Sequence, residues 1–106
     1  MRIAVTYENG EVFQHFGHTE QFKVYDIEDG KIEYSEIIGS NGSGHGARAT
    51  VLAGESIDVL ICGGIGGGAQ AALSEQGIEL CAGASGSADE AVEAYLTLTM
   101  RWQVKN

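Results

Sequence analysis

The sequence predicts an α/β fold: a five-stranded mixed sheet with helices on both faces, in the order βββαβαβα. Three observations lead there. Residues 2–7, 22–27 and 31–37 alternate like half-buried strands. Ile57-Asp58-Val59-Leu60-Ile61-Cys62 is nearly all apolar, as a central parallel strand should be. Glycine turns then separate the later strand patterns from three helical segments.

Taken in order, Arg2-Ile3-Ala4-Val5-Thr6-Tyr7 is the first strand. Residues 8–20 hold no sustained period and carry Asn9-Gly10, which predicts a long loop with room for a short hairpin. The second and third strands flank Glu28-Asp29-Gly30, where Asp-Gly supplies the positive φ angles of a hairpin turn. A glycine- and serine-rich loop at 39–44 leads to a short helix over 45–53, with Gly54 as its stop. The apolar strand follows. Gly63-Gly64-Ile65-Gly66-Gly67-Gly68 opens a second helix over 69–76, closed by Gly77. Ile78-Glu79-Leu80-Cys81 is a short strand, and Ser87-Ala88-Asp89-Glu90 is a capping box that starts a last helix running to about Leu98. A hairpin followed by two crossover units gives a mixed sheet. With the first strand central, the loops at 8–20, 39–45, 63–68 and 82–86 leave one edge, where open α/β sheets bind ligands.

The chain has 106 residues, which fits one domain over 1–106 with a core to about residue 98 and a short tail. Its formal net charge is −9 with only 6 Lys and Arg, which argues against a nucleic-acid partner. No apolar run reaches the length of a membrane span, and the start of the chain does not read as a signal peptide. The expected location is the cytoplasm, and in that compartment Cys62 and Cys81 are expected as free, metal-binding or redox thiols rather than a disulfide.

The predicted loop edge collects the residues able to do chemistry. His15 and His18 sit three apart in Gln14-His15-Phe16-Gly17-His18, and Phe16 with Gly17 predicts a turn that holds the His15 ring in place, while His18 reads as exposed. His45 begins a helix, where the dipole keeps an imidazole neutral and able to bind a metal. Cys62 and Cys81 each end a strand; they are small buried hydrophobes or, facing one cleft, soft-metal ligands. The glycine turn matches a dinucleotide fingerprint weakly, lacks the Lys-Ser or Lys-Thr of a P-loop, and otherwise suits an anion or close helix–sheet packing. No C-x-x-C pair, nucleophile elbow or catalytic triad is present.

Four stretches together carry a family resemblance. They are His15-Phe16-Gly17 followed by Phe22-Lys23-Val24-Tyr25-Asp26-Ile27-Glu28; Asp58-Val59-Leu60-Ile61-Cys62-Gly63-Gly64-Ile65-Gly66; Gly77-Ile78-Glu79-Leu80; and Ala91-Val92-Glu93-Ala94-Tyr95-Leu96. In this order the chain resembles the dinitrogenase iron–molybdenum cofactor biosynthesis family, the small domain of the nitrogenase accessory proteins NifX and NafY and of the C-terminal part of NifB. The orange protein, which holds a molybdenum–copper–sulfur cluster, looks similar. The resemblance implies an RNase H-like three-layer fold and the binding or carriage of an iron–molybdenum–sulfur or related metal–sulfur cluster, with no enzymatic turnover and with cluster donor and acceptor proteins as partners. His15 is the residue it carries over, and His45 falls where many members have a histidine. Gly67-Gly68 stands where many members have proline, which softens the turn.

The expected site is therefore His15, His45, Cys62 and Cys81 around the metal, with Phe16, Gly17, Arg48, Gly63, Gly64, Ile65, Gly66 and Gly67 around the cluster. Against the charge of −9, an anionic cluster needs local donors, and salt screens the repulsion beyond about 8–10 Å. Two other classes fit the same residues. One is a small enzyme or sensor that binds a nucleotide or phosphate at the glycine turn. The other is an interaction module without a cofactor.

Overall fold

The computed structural model describes the backbone of residues 1–40 and 44–105 and the side chains of residues 1–40 and 48–98. The elements are β1 (Arg2–Glu8), β2 (Glu11–Val12), β3 (Gln21–Glu28), β4 (Lys31–Gly39), α1 (Gly44–Gly54), β5 (Val59–Ile61), α2 (Gly67–Glu75), β6 (Glu79–Cys81) and α3 (Ala88–Lys105), with a 3-10 turn at Phe16–His18. The main sheet runs β4-β3-β1-β5-β6. Strand β1 is antiparallel to β3 and parallel to β5, and β5 is parallel to β6.

The five-strand expectation is corrected by β2, a sixth strand folded antiparallel onto the end of β1. The Asn9-Gly10 turn makes it, with φ of 49° and 88° at its two residues. Asp29 (53°) and Gly30 (75°) turn the β3–β4 hairpin the same way. The last helix also passes the expected end at Leu98 and continues to Lys105, because no glycine or proline interrupts residues 88–105.

Side-chain alternation along β1 divides the core into two layers. Ala4 packs with Phe16, Phe22 and Val24 beneath Ala49 and Leu52 of α1 and Ala69 and Leu73 of α2. Ile3 and Val5 pack on the opposite face with Tyr25 and Ile61 beneath Ala88, Val92 and Leu96 of α3. Helices therefore cover both faces. At the start of α3, the Ser87 Oγ accepts the Glu90 N–H at 3.2 Å, which satisfies one orphan donor of the first turn.

A polar contact locks α3 onto the sheet. The buried Tyr25 hydroxyl donates to Asp89 Oδ1 at 2.6 Å, and Lys23 Nζ donates to the same oxygen at 2.9 Å. The hydrogen bond from Tyr25, then that from Lys23, holds the Asp89 carboxyl below its ordinary range. A depressed folded-state value means stability that is present above the ordinary carboxylate pKa and lost as pH falls through the folded value. Burial first, and the bond to Asp89 second, push the Tyr25 phenol up, so stability is also lost once pH rises past an ordinary tyrosine. We expect the melting-temperature gap between the protein and its Asp89→Asn variant to narrow on acidification below about pH 4. A gap that stays constant from neutral to acid pH would remove Asp89 from the acid limb.

Candidate functional site

The residues of interest lie where β1, β4, β5 and β6 end. After β2 the chain runs back along the glycine turn instead of crossing open solvent. Gly64 N–H donates to the Gln14 carbonyl at 2.6 Å and Phe16 N–H donates to the Gly64 carbonyl at 3.0 Å, a parallel bridge between His15 and Gly64. Gly83 N–H donates to the Gly63 carbonyl at 2.9 Å, and Gln14 Nε2 donates to the Ala84 carbonyl at 3.2 Å. Three loops are thus zipped together about Gly63 and Gly64. A Cβ on Gly63 would stand 2.8 Å from the Gln14 Cα, so glycine is required there by close approach.

Phe16 anchors the histidine loop. Its ring is 1% exposed and meets Phe22 at a centroid distance of 6.1 Å. The 3-10 turn follows, with His18 N–H donating to the His15 carbonyl at 3.0 Å. Residues i and i+3 eclipse in a 3-10 turn, so the two imidazoles come side by side, centroids 6.2 Å apart and edge to face. Phe13 flanks His15 from its other side at 6.3 Å. Both histidines are exposed. His18 is exposed as expected, and the 3-10 turn sets its ring beside that of His15. Gln14, which no sequence signal singled out, ties the loop down.

The other expected residues divide. Gly17 lies inside the turn between the two histidines. Ile65 packs half-buried against the core. Gly66 is the N-cap of α2, and a Cβ added at Gly66, Gly67 or Gly68 would meet nothing within 4 Å. No side chain caps this helix. Its first intrahelical bond runs from Gln70 N–H to the Gly66 carbonyl at 3.0 Å, so the N–H groups before Gln70 point out of the helix start, where an anion is favoured. These glycines therefore do not serve helix–sheet packing.

Arg48 is not a cation on the surface. It is 5% exposed, and its Nε and Nη2 both donate to the Thr19 carbonyl, at 3.1 and 3.0 Å. It clamps the end of the histidine loop onto α1. Cys62 is fully buried in the layer under α1 and α2, whereas Cys81 is half-buried in the layer under α3. Register explains this: Ile61 stands opposite Cys81, so both face α3 and the next residue faces away. The two thiols do not share a cleft. Burial, and next the nearby Cys81, push the Cys62 thiol up to about 11, which leaves it protonated at neutral pH. His45 lies in the first turn of α1, with its side chain outside the described residues. Among the described residues no three His, Cys, Asp or Glu side chains gather around one metal position.

Two hollows adjoin the histidines. One of about 140 Å³ is lined by His18 with Tyr7, Glu8, Phe13, Glu20 and Gln21. Another of about 220 Å³ is lined by His15 with Glu8, Glu11, Val12, Phe13 and Gln14. The carboxylates in these linings disfavour an anion within the hollows themselves.

The domain is thus a mixed α/β fold whose exposed histidine pair is strapped to the glycine turn that opens α2. The particular family is shown by comparison: the chain belongs to the dinitrogenase iron–molybdenum cofactor family, whose model matches residues 1–98. The uncharacterised protein MJ0580 of Methanocaldococcus jannaschii is 30% identical over 102 residues, covering 91% of this chain and 86% of that protein. The crystal structure of PH0822 superposes with a TM-score of 0.86 at 24% identity, covering 92% of this chain and 89% of that one, a likeness of fold. The apo form of the orange protein from Desulfovibrio gigas gives a TM-score of 0.80 at 33% identity, covering 91% and 87%. No described helix is long and apolar enough to cross a membrane.

Proposed function

We propose that the chain binds and carries an iron–molybdenum–sulfur cluster or a related metal–sulfur cluster, and passes it between donor and acceptor proteins without turning over a substrate. The observation that supports this most is the strap between His15 and Gly64. It ties an exposed imidazole pair, able to bond iron or molybdenum, to a helix start whose free N–H groups suit the sulfide surface of an anionic cargo. His15 is the first ligand in this reading, His18 its neighbour, and His45 a further ligand from α1. The buried, protonated Cys62 and the Cys81 of the other layer fall behind the histidines. The two-layer packing also fits an RNase H-like classification. It brings no nuclease chemistry, because the buried run of β1 is Ile3-Ala4-Val5-Thr6 and holds no carboxylate.

The test is cluster loading without oxygen, followed by metal analysis and a visible absorption spectrum. Wild type should retain iron with molybdenum or copper and show a charge-transfer band. A His15→Ala, His45→Ala double variant should lose most of that band, and His18→Ala part of it, while Cys62→Ala and Cys81→Ala keep it. Full retention in the double variant would remove His15 and His45 as ligands. The uncapped start of α2 also favours a second reading, a phosphate or nucleotide site. A melting temperature raised by nucleotides but not by cluster would select it. A protein that responds to neither is an interaction module.

A further inference from the structure

Strand β4 is the open edge of the main sheet, with nothing paired to its outer side among the described residues. It is nine residues long, and seven of them are exposed on one face or the other. An edge of this kind presents a row of unpaired N–H and C=O groups and is a template for another strand. A register shift between Asp26 and Ile27 of β3 leaves Glu33 unopposed, which breaks the start of the edge. The remaining stretch, Tyr34-Ser35-Glu36-Ile37-Ile38-Gly39, contains no lysine and no proline, the usual guards of an edge. Tyr34 is 55% and Ile37 49% exposed, two of the four large apolar side chains that stand out from the surface of the described residues.

Charge chooses between occupants. Glu33 and Glu36 lie on this edge strand against the single Lys31, Glu28 and Asp29 stand at the hairpin end beside it, and all five are exposed. Arg2 reaches Glu36 at only 3.7 Å, since its closer partner is Asp26 at 2.6 Å. A second copy of a chain of net charge −9 would bring like charges together along the pairing line. A basic strand would bring opposite ones. We propose that β4 is a docking edge that takes up an extended segment of a partner protein, with alternating basic and apolar residues, as a further strand of the sheet.

Register sets the faces: Glu36 and Tyr34 share the side of Val24, and Ile37 shares the opposite side with Tyr25, so the segment's lysines or arginines would lie beside Glu36 and Tyr34 and its apolar residues beside Ile37. Strand β4 ends beside the histidine loop: Gly39 stands opposite Gln21, and Ser40 N–H donates to the Glu20 carbonyl at 3.0 Å. A partner held on this edge is thereby aligned with the candidate face, although the docking does not depend on what that face carries.

The probe is a synthetic peptide of alternating Lys and Val long enough to span β4, titrated into the whole chain and followed by amide chemical shifts. Saturable shifts confined to residues 31–39, with slowed exchange of β4 amides, are expected. The same peptide N-methylated on alternate residues keeps its charge but cannot pair, and should bind at least about tenfold more weakly. A Glu36→Lys, Ile37→Thr variant with wild-type melting behaviour should also weaken binding about tenfold. Equal binding of the two peptides, shifts spread over the acidic surface, no saturable shift, or self-association of the chain through β4 would each overturn the proposal.

Discussion

Replacing Phe16 by alanine is expected to destabilise the protein by about 3–5 kcal/mol, the range for truncating a buried phenylalanine. Globular domains are stable by only about 5–15 kcal/mol in all, so this one side chain decides whether much of the population is folded. The ring is 1% exposed and lies among Ala4, Phe22, Cys62 and Leu73 in the layer under α1 and α2. Its backbone belongs to the site: Phe16 N–H holds the Gly64 carbonyl at 3.0 Å, and its carbonyl accepts from Thr19 N–H at 3.4 Å. A side chain this buried anchors the loop that carries His15 and His18 on either side. Phe16→Leu should recover most of the loss, because it refills most of the volume. His15→Ala should change stability by no more than about 0.5 kcal/mol, as an exposed position does. Denaturant unfolding separates them. An alanine variant of wild-type midpoint would mean that the loop is held by its backbone bonds alone.

How far the sequence carried is set by the range of each interaction. The β3–β4 hairpin was legible because Asp29-Gly30 encodes its own turn, and β5 because a strand buried on both faces must be apolar. The convergence of His15, Gly64 and the strand ends followed from connectivity alone. Strand β2 was legible only as room for a short hairpin at Asn9-Gly10. It is two residues long, and only the Asn9-Gly10 turn before it signals a pairing. The separation of Cys62 from Cys81 depends on the register of β5 against β6, which no local pattern states. Arg48 was read as a donor around the cluster, and its bond to Thr19, 29 residues away in the chain, has no local signal. The place of His18 beside His15 comes from a 3-10 turn, which the loop reading of residues 8–20 did not include.

The glycine turn gives the sharpest separation of folding from binding. In Gly63→Ala the new Cβ would lie 2.7 Å from the Gln14 Oε1 and 2.8 Å from its Cα. The amide end could swing away, but the Cα belongs to the backbone that carries His15. The turn bearing Gly63 is pinned on its other side by Gly83, so the histidine loop must be the part that moves. A cost of about 1–3 kcal/mol is expected, the range for overpacking a close contact, together with weaker cluster retention. Gly68→Ala works in the opposite sense. Its Cβ meets nothing within 4 Å, and alanine in place of glycine in a helix favours folding by up to about 1 kcal/mol. If a cluster sits on the start of α2, the same methyl group intrudes on it, so the variant should melt higher than wild type and yet hold less metal. Calorimetry and metal analysis on one preparation give both values. Higher stability with undiminished loading would move the cargo off the α2 start and leave the histidine pair alone to hold it.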